Sequence, residues 1–465
     1  MSIFRTKPID ALIAETQGEH SLKKVLGAVD LIALGIGAII GTGIFVITGV
    51  AAAKYAGPAV ILSFAISAFT CALAALAYAE FAAMIPVAGS AYTYSYAALG
   101  ELFAWIIGWD LILEYSVAIS AVAIGWSGYF TNLLKVLGIN LPVYLTGSFL
   151  AQKGGFINFP AVAIIVIIAV VLMAGIKQSA SLNKVIVGIK LVVILLFIFL
   201  AAPHVNTANW HPFVPFGFKG IVSGAAIVFF AYIGFDAVST ASEEVKNPQK
   251  DLPVGIIVSL AVATVLYIAV AAILTGIVKY SELNNQSAPV AYGLMRIGQN
   301  WMSGIISLGA IAGITSVLLV MLLGQTRIFF AMSRDGLLPK MFSEVSPKTN
   351  TPVKSTILTI IITALPAALL PIDIVAELTN IGTLAAFMIV SIGIVVLRYK
   401  KPDQPRPFKC PGVPFVPILA VLLCGYLIFS LEPLTWIRFV VWLVIGLVIY
   451  FTYSAKRSKL NKKAS

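Results

Sequence analysis

Long apolar runs alternate along the chain with short polar stretches rich in Gly, Pro, Asn and Lys. Runs fall at roughly 30–53, 58–82, 102–131, 159–176, 181–202, 220–242, 253–277, 303–330, 354–370, 375–397, 414–431 and 435–454. At about 1.5 Å per helical residue, each crosses or nearly crosses a hydrocarbon layer ~30 Å thick. The pattern predicts an all-α integral membrane protein with twelve transmembrane helices, here called the first to twelfth spans. Residues 287–298, "SAPVAYGLMRIG", read as a short interfacial helix leading into the eighth span.

Composition supports the same class. Of 465 residues, 60% are hydrophobic and 11% charged, more apolar surface than one soluble core needs. Residues 1–28 carry several charges and no continuous apolar core, so a cleaved signal peptide is not expected. They read as a cytosolic N-terminal segment. Cys71, Cys410 and Cys424 are odd in number and scattered, which implies neither a disulfide framework nor a zinc site.

Lys and Arg orient the chain. With the N-terminus inside, 23 of the 31 basic residues lie at the cytosolic ends of spans or in cytosolic segments, and 7 lie on the other side. Both termini are then cytosolic and the host is the cell membrane. The net charge of +12 reports topology and contact with anionic membrane lipids. The basic residues are spread over six cytosolic segments and form no single face, so nucleic acid is not expected as a partner.

Lys190 belongs to neither side. It stands in "NKVIVGIKLVVILLF", about ten residues into the fifth span and so ~15 Å deep. A charged lysine at that depth costs about 2.5–3.5 kcal/mol or more in a lone helix.

Two spans contain segments that are poor helix formers at the same depth. "GIGAIIGTGIF", residues 35–45, concentrates glycines where each weakens a helix by about 1 kcal/mol relative to alanine. Gly41 lies about 15 Å from the cytosolic edge, at the midplane. "FFAYIGFD", residues 229–236, reaches the same level from the opposite side. Gly37 and Gly41 form a GxxxG pair, which alone suits close helix packing. A dinucleotide loop is excluded because the stretch lies inside a span rather than after a soluble strand. The second irregular segment favours a binding site, since broken helices in corresponding halves of a chain point to a transporter's substrate site.

These stretches, with "AGPAVILSFAISAFTCALAALAYAEFAAMIPVAGSAYTYSYAALGELFAWIIGWDLILEY" and "FFAYIGFDAVSTASEEVKNPQKDLPVGI", closely resemble the amino acid, polyamine and organocation transporter superfamily. The chain looks most like bacterial relatives of the cationic amino acid transporters. The resemblance implies two inverted five-helix repeats, about 29–202 and 220–397, within a transport core spanning 29–400. Discontinuous first and sixth helices, two appended helices over 401–455 and a basic tail over 456–465 complete the expected organisation.

Helix ends then supply the chemistry. Unwinding near Gly41 exposes amides at the start of a second half-helix, where the dipole favours a carboxylate. Gly41, Thr42 and Gly43 are the expected carboxylate contacts. The carbonyls of Ile39, Ile40, Phe230, Ala231 and Ile233 are candidates to accept hydrogen bonds from an α-ammonium group. Phe230, Tyr232, Phe235 and Met321 are candidate walls or gates for the side chain.

Glu114, ~18 Å from the cytosolic edge of the third span, is level with Lys190 and is its expected partner, with Asp110 one turn below. Related transporters of this architecture often hold sodium between the first and eighth spans, and a lysine ammonium from the fifth can take that place in proton-coupled members. A fixed cation there repels sodium, so Lys190 points to protons. The expectation is a symporter importing L-amino acids with protons by alternating access, with no cofactor and no metal.

Exchange, sodium coupling and a channel are the alternatives. An enzyme is disfavoured because the spans contain no recognisable nucleophile and base pair or metal cluster. Asp236 could cap the half-helix after the second break, and Glu80 and Glu244 are candidates for a cytosolic gate network.

Overall fold

The computed structural model describes residues 5–14, 24–87, 89–150, 154–175, 180–349 and 351–462. Lys23, Lys153, Lys177 and Lys463, counted in the charge asymmetry, lie outside them. The described chain is almost wholly helical, and its only β pairing is two isolated bridges. Among the described residues eight helices are long and apolar enough to cross a membrane, and four further apolar helices are shorter: Ala28–Ile39, Phe159–Met173, Val353–Leu369 and Phe415–Phe429.

Helices occupy every stretch that hydropathy marks, with shifted ends. The third runs over Glu101–Val136 and the eighth over Asn300–Arg334, both longer than the apolar run alone suggests. Their polar ends extend past the apolar stretch because a helix satisfies its own amides in water as well as in lipid. Pro289–Arg296 forms the expected interfacial helix. Ser90–Ala98, between the second and third spans, is an additional helix; its polar and aromatic sequence carries no apolar run.

Of the eight long helices the sixth span is the most enclosed, with 94% of its most apolar stretch buried, whereas 22% is buried in the twelfth. The third span packs most extensively on the eighth and tenth, and the seventh on the first and second. The twelfth is pinned to the third by two tryptophans. Trp109 and Trp442 stack 4.4 Å apart, and each indole donates to the other's carbonyl, at 2.8 and 3.0 Å.

Both interrupted helices meet again at one end. The Val25 and Leu26 amides donate to the Glu244 carbonyl, and Lys246 N–H donates to Leu26 O, all at 2.9 Å. These bonds hold the start of the first span beside the end of the sixth.

Candidate substrate and coupling site

The first span is helical over Ala28–Ile39 and then breaks. Ile40 is extended, with φ −78° and ψ 106°, and a π-helical turn starts at Gly43. The sixth span is helical over Gly217–Val228, tightens to a 3-10 turn over Phe229–Tyr232, and breaks at Ile233 and Gly234. Gly234 has φ +115°, a conformation that favours glycine. A Cβ on it would meet the Ala38 carbonyl oxygen at 2.8 Å.

The breaks touch directly. A Cβ on Gly43 would lie 2.4 Å from the Ala231 Cα. Glycine at 43 is therefore what lets the two backbones meet. Thr42, beside it, donates its hydroxyl to Val122 O of the third span at 3.4 Å. A Cβ on Gly41 would meet Val317 of the eighth span at 3.0 Å.

Lys190 reaches the first break. Its ammonium donates to Gly37 O at 2.7 Å and Ile40 O at 2.9 Å, and the whole residue is buried. Its aliphatic stem lies on Gly313 of the eighth span, where a Cβ would come within 2.8 Å of the Lys190 Cγ. The ammonium thus sits on unwound carbonyls of the first span, with the eighth span beneath its stem.

The expected partnership with Glu114 is not formed. Among the described residues no carboxylate lies within ion-pair distance of the Lys190 ammonium. Glu114 instead faces Asp110 and Asp236, and Asp110 rests on the tenth span, where a Cβ on Gly382 would meet its carboxylate at 2.7 Å. Both Asp110 carboxyl oxygens and one of Glu114 are buried without a hydrogen-bond partner among the described residues. Equal depth placed Lys190 and Glu114 on one level, but they point to different neighbours.

The candidate ammonium acceptors are also partly engaged. Tyr267 of the seventh span lies between the breaks, with its hydroxyl 2.9 Å from Ile39 O and 2.8 Å from Ala231 O. Ile40 O is held by Lys190, and Phe230 O accepts from Ile233 N–H at 3.3 Å. Tyr267 was not anticipated. Its signal is a lone phenol in the middle of the apolar run "AVATVLYIAV", where a buried hydroxyl needs a partner.

Two of the proposed walls face elsewhere. Tyr232 donates to Phe64 O at 3.1 Å and packs edge-on to Tyr267, so it points into the second and seventh spans. Phe235 packs on Tyr78 and Phe387, with ring centroids 5.6 and 5.0 Å away. Phe230, Ile233 and Met321 keep 5–7% exposure inside the bundle while Phe229, Tyr232 and Phe235 keep none. Asp236 starts the short helix Ala237–Thr240 without a side-chain cap bond.

At the end of the bundle where the second and tenth spans finish, Glu80 is fully buried and takes a bidentate pair from Arg398, at 3.1 and 2.6 Å, with Arg406 at 3.3 Å. The Cys410 amide donates to it at 2.7 Å. Burial, with Glu80 close by, pushes the Cys410 thiol up to about 11, so it stays neutral. Glu244 enters no ion pair among the described residues; its carbonyl, not its carboxylate, makes the cross-links.

Two broken helices joined at the centre of an apolar bundle, with a buried ammonium on the unwound carbonyls, define a membrane carrier of the discontinuous-helix class. The profile of the amino acid permease family matches residues 26–456. The chain belongs to that family, within the amino acid, polyamine and organocation superfamily. It is 56% identical to the branched-chain amino acid permease BcaP of Bacillus subtilis (strain 168), over 99% of each chain. It is 52% identical to the methylthioribose transporter of the same organism, over 99% of this chain and 100% of that one. Identity to the vacuolar cationic amino acid transporter 4 of Arabidopsis thaliana is 32%, over 99% and 96%. These relatives are permeases and transporters, not enzymes.

Proposed function

We propose that this protein is a proton-coupled symporter that imports L-amino acids across the cell membrane by alternating access. The observation that carries the proposal is the junction of the two breaks, where Gly43 meets Ala231 and Lys190 caps Gly37 and Ile40. Twelve spans, with both termini cytosolic, make up the proposed topology. Two inverted repeats of five, with two appended helices, place the first and sixth spans in equivalent positions.

The zwitterion binds where main-chain groups are bare. Its carboxylate faces the amides of Gly41, Thr42 and Gly43 at the positive end of the second half-helix. Its ammonium takes a carbonyl at the sixth-span break, with Ile233 the candidate left over once Ala231 O is held by Tyr267 and Phe230 O by the Ile233 N–H. Phe230, Ile233 and Met321 then line an apolar side-chain pocket. The direct contact of Gly43 and Ala231 describes the site closed, and opening separates the two breaks. An apolar pocket, together with the branched-chain specificity in the name of BcaP, favours branched-chain substrates over cationic ones.

Lys190 supports proton coupling because its ammonium already supplies a cation at the carbonyls where a sodium ion would sit. Losing its proton removes that cation and frees Gly37 O and Ile40 O, so the two charge states favour different arrangements of the break. A proton moving down 100 mV provides ~2.3 kcal/mol, enough for about fiftyfold accumulation of a zwitterion. Glu114, Asp110 and Asp236 form a separate acidic group beside the sixth-span break rather than a relay from Lys190.

Counterflow in proteoliposomes tests the substrate class. Vesicles preloaded with unlabelled leucine should accumulate labelled leucine, with isoleucine and valine competing and lysine competing weakly. Competition by methylthioribose matching that of leucine would overturn the amino acid assignment in favour of the second relative's substrate. Leucine flux that does not saturate would indicate a channel.

A further inference from the structure

Residues 454–460, after the twelfth span, are locked onto the face assigned above to the cytosol. Ser454 donates to Leu337 O at 2.6 Å, and Ser458 donates to the Glu101 carboxylate at 2.5 Å; both serines are fully buried. Tyr96 and Tyr450 also donate to Glu101, at 3.1 and 3.2 Å. Lys459 N–H donates to Asp335 O at 3.1 Å, and Arg5 donates to Leu460 O at 3.0 Å. Glu101 therefore ties the third span to the last one and to the segment that follows it.

This lock fixes a cluster of cations. Lys456, Arg457 and Lys459 are exposed at the end of the twelfth span, and Arg334 is exposed at the adjoining end of the eighth. Arg457 lies over the Tyr453 ring, 4.4 Å from its centroid. None of the four enters an ion pair among the described residues. The nearby acids are taken: Glu101 by three hydroxyls, and Asp335 by Tyr92 at 2.7 Å and Lys7 at 3.7 Å. On the twelfth span, one to two turns before Lys456, Val448 and Phe451 are more than half exposed.

We propose that Arg334, Lys456, Arg457 and Lys459 form a binding surface for the headgroup of an anionic phospholipid, whose acyl chains lie on Val448 and Phe451. The charge complements a lipid phosphate, and the apolar strip distinguishes a lipid from a soluble phosphate. Because Ser454 and Ser458 anchor the backbone on both sides of Lys456 and Arg457, the surface is preorganised and the headgroup binds without first ordering a tail. The inference rests on the topology proposed above, which puts this face at the cytosolic leaflet.

Native mass spectrometry of the purified full-length protein, titrated with phosphatidylglycerol or phosphatidylcholine, reads binding independently of transport, so this reading and the transport reading fail separately. Phosphatidylglycerol should bind in preference to phosphatidylcholine. Lys456→Gln/Arg457→Gln/Lys459→Gln should weaken it about a hundredfold, at roughly a factor of five per basic residue. Lys456→Arg/Lys459→Arg should retain it, which separates lost charge from a damaged fold. Lys400→Gln/Lys401→Gln/Lys409→Gln, elsewhere on the same side, should leave it nearly unchanged. Unaltered binding in the first variant, equal loss in the last, or ready displacement by inorganic phosphate would each overturn the proposal.

Discussion

Substituting Gly43 by alanine probes the junction with one methyl group. The added carbon would lie 2.4 Å from Ala231 Cα, 2.5 Å from its Cβ and 3.2 Å from its nitrogen. Two of these three atoms are backbone, so no rotamer change relieves the clash and the two breaks must separate. Overpacking of this kind costs about 1–3 kcal/mol, which as a loss of affinity for a ligand spanning both breaks is roughly 5- to 150-fold. Leucine binding by isothermal titration, alongside thermal unfolding, measures it. Adding Ala231→Gly should not restore binding, because removing the Ala231 Cβ leaves its Cα at 2.4 Å. Gly188→Ala in the fifth span is the matched control, since a Cβ there meets nothing within 4 Å. It should be neutral or gain up to about 1 kcal/mol of helix stability. Wild-type leucine affinity in Gly43→Ala would refute the claim that the breaks meet at the site.

Three further outcomes follow from packing. Tyr267→Phe removes the donor shared by Ile39 O and Ala231 O, leaving buried carbonyls at a cost of about 1–3 kcal/mol; a lowered Tm and reduced leucine uptake are expected. Glu80→Ala strands Arg398 against a buried site and should destabilise the protein by about 3–5 kcal/mol in a denaturation series, more than Glu80→Gln, which keeps an acceptor for the Cys410 amide. Trp442→Ala loses the stack on Trp109 and the bond its indole donates to Trp109 O, while the residue-442 carbonyl that accepts from Trp109 remains, so Tm should fall by an amount corresponding to about 3 kcal/mol.

What could be read from the chain depended on whether one helix or two decided the outcome. Apolar length is a property of one segment, so the positions of the spans were legible. The breaks were legible because glycine weakens a helix wherever it stands, though what Gly41 and Gly43 approach, Val317 and Ala231, belongs to other helices. Lys190 could be placed at the midplane by counting residues, yet counting fixes depth and not direction around the helix. Glu114 shares its level and faces the tenth span instead. The directions of Tyr232 and Phe235 were equally hidden, since the 3-10 turn over Phe229–Tyr232 and the break after it depart from an ideal helical face. The helix Ser90–Ala98 escaped notice because "SAYTYSYAA" forms by docking onto the third and tenth spans, not by its own apolar pattern.

Proton-driven accumulation tests the central claim most directly. Proteoliposomes with an imposed inward proton gradient and no sodium should concentrate labelled leucine, and uptake should fall as external pH rises and the gradient is lost. Lys190→Ala should still exchange leucine for leucine but bring it only to equal concentrations on both sides. If Lys190→Ala concentrates leucine as wild type does, or wild type accumulates it only with sodium, the ammonium on Gly37 and Ile40 is a structural tie and the coupling assigned to it is wrong.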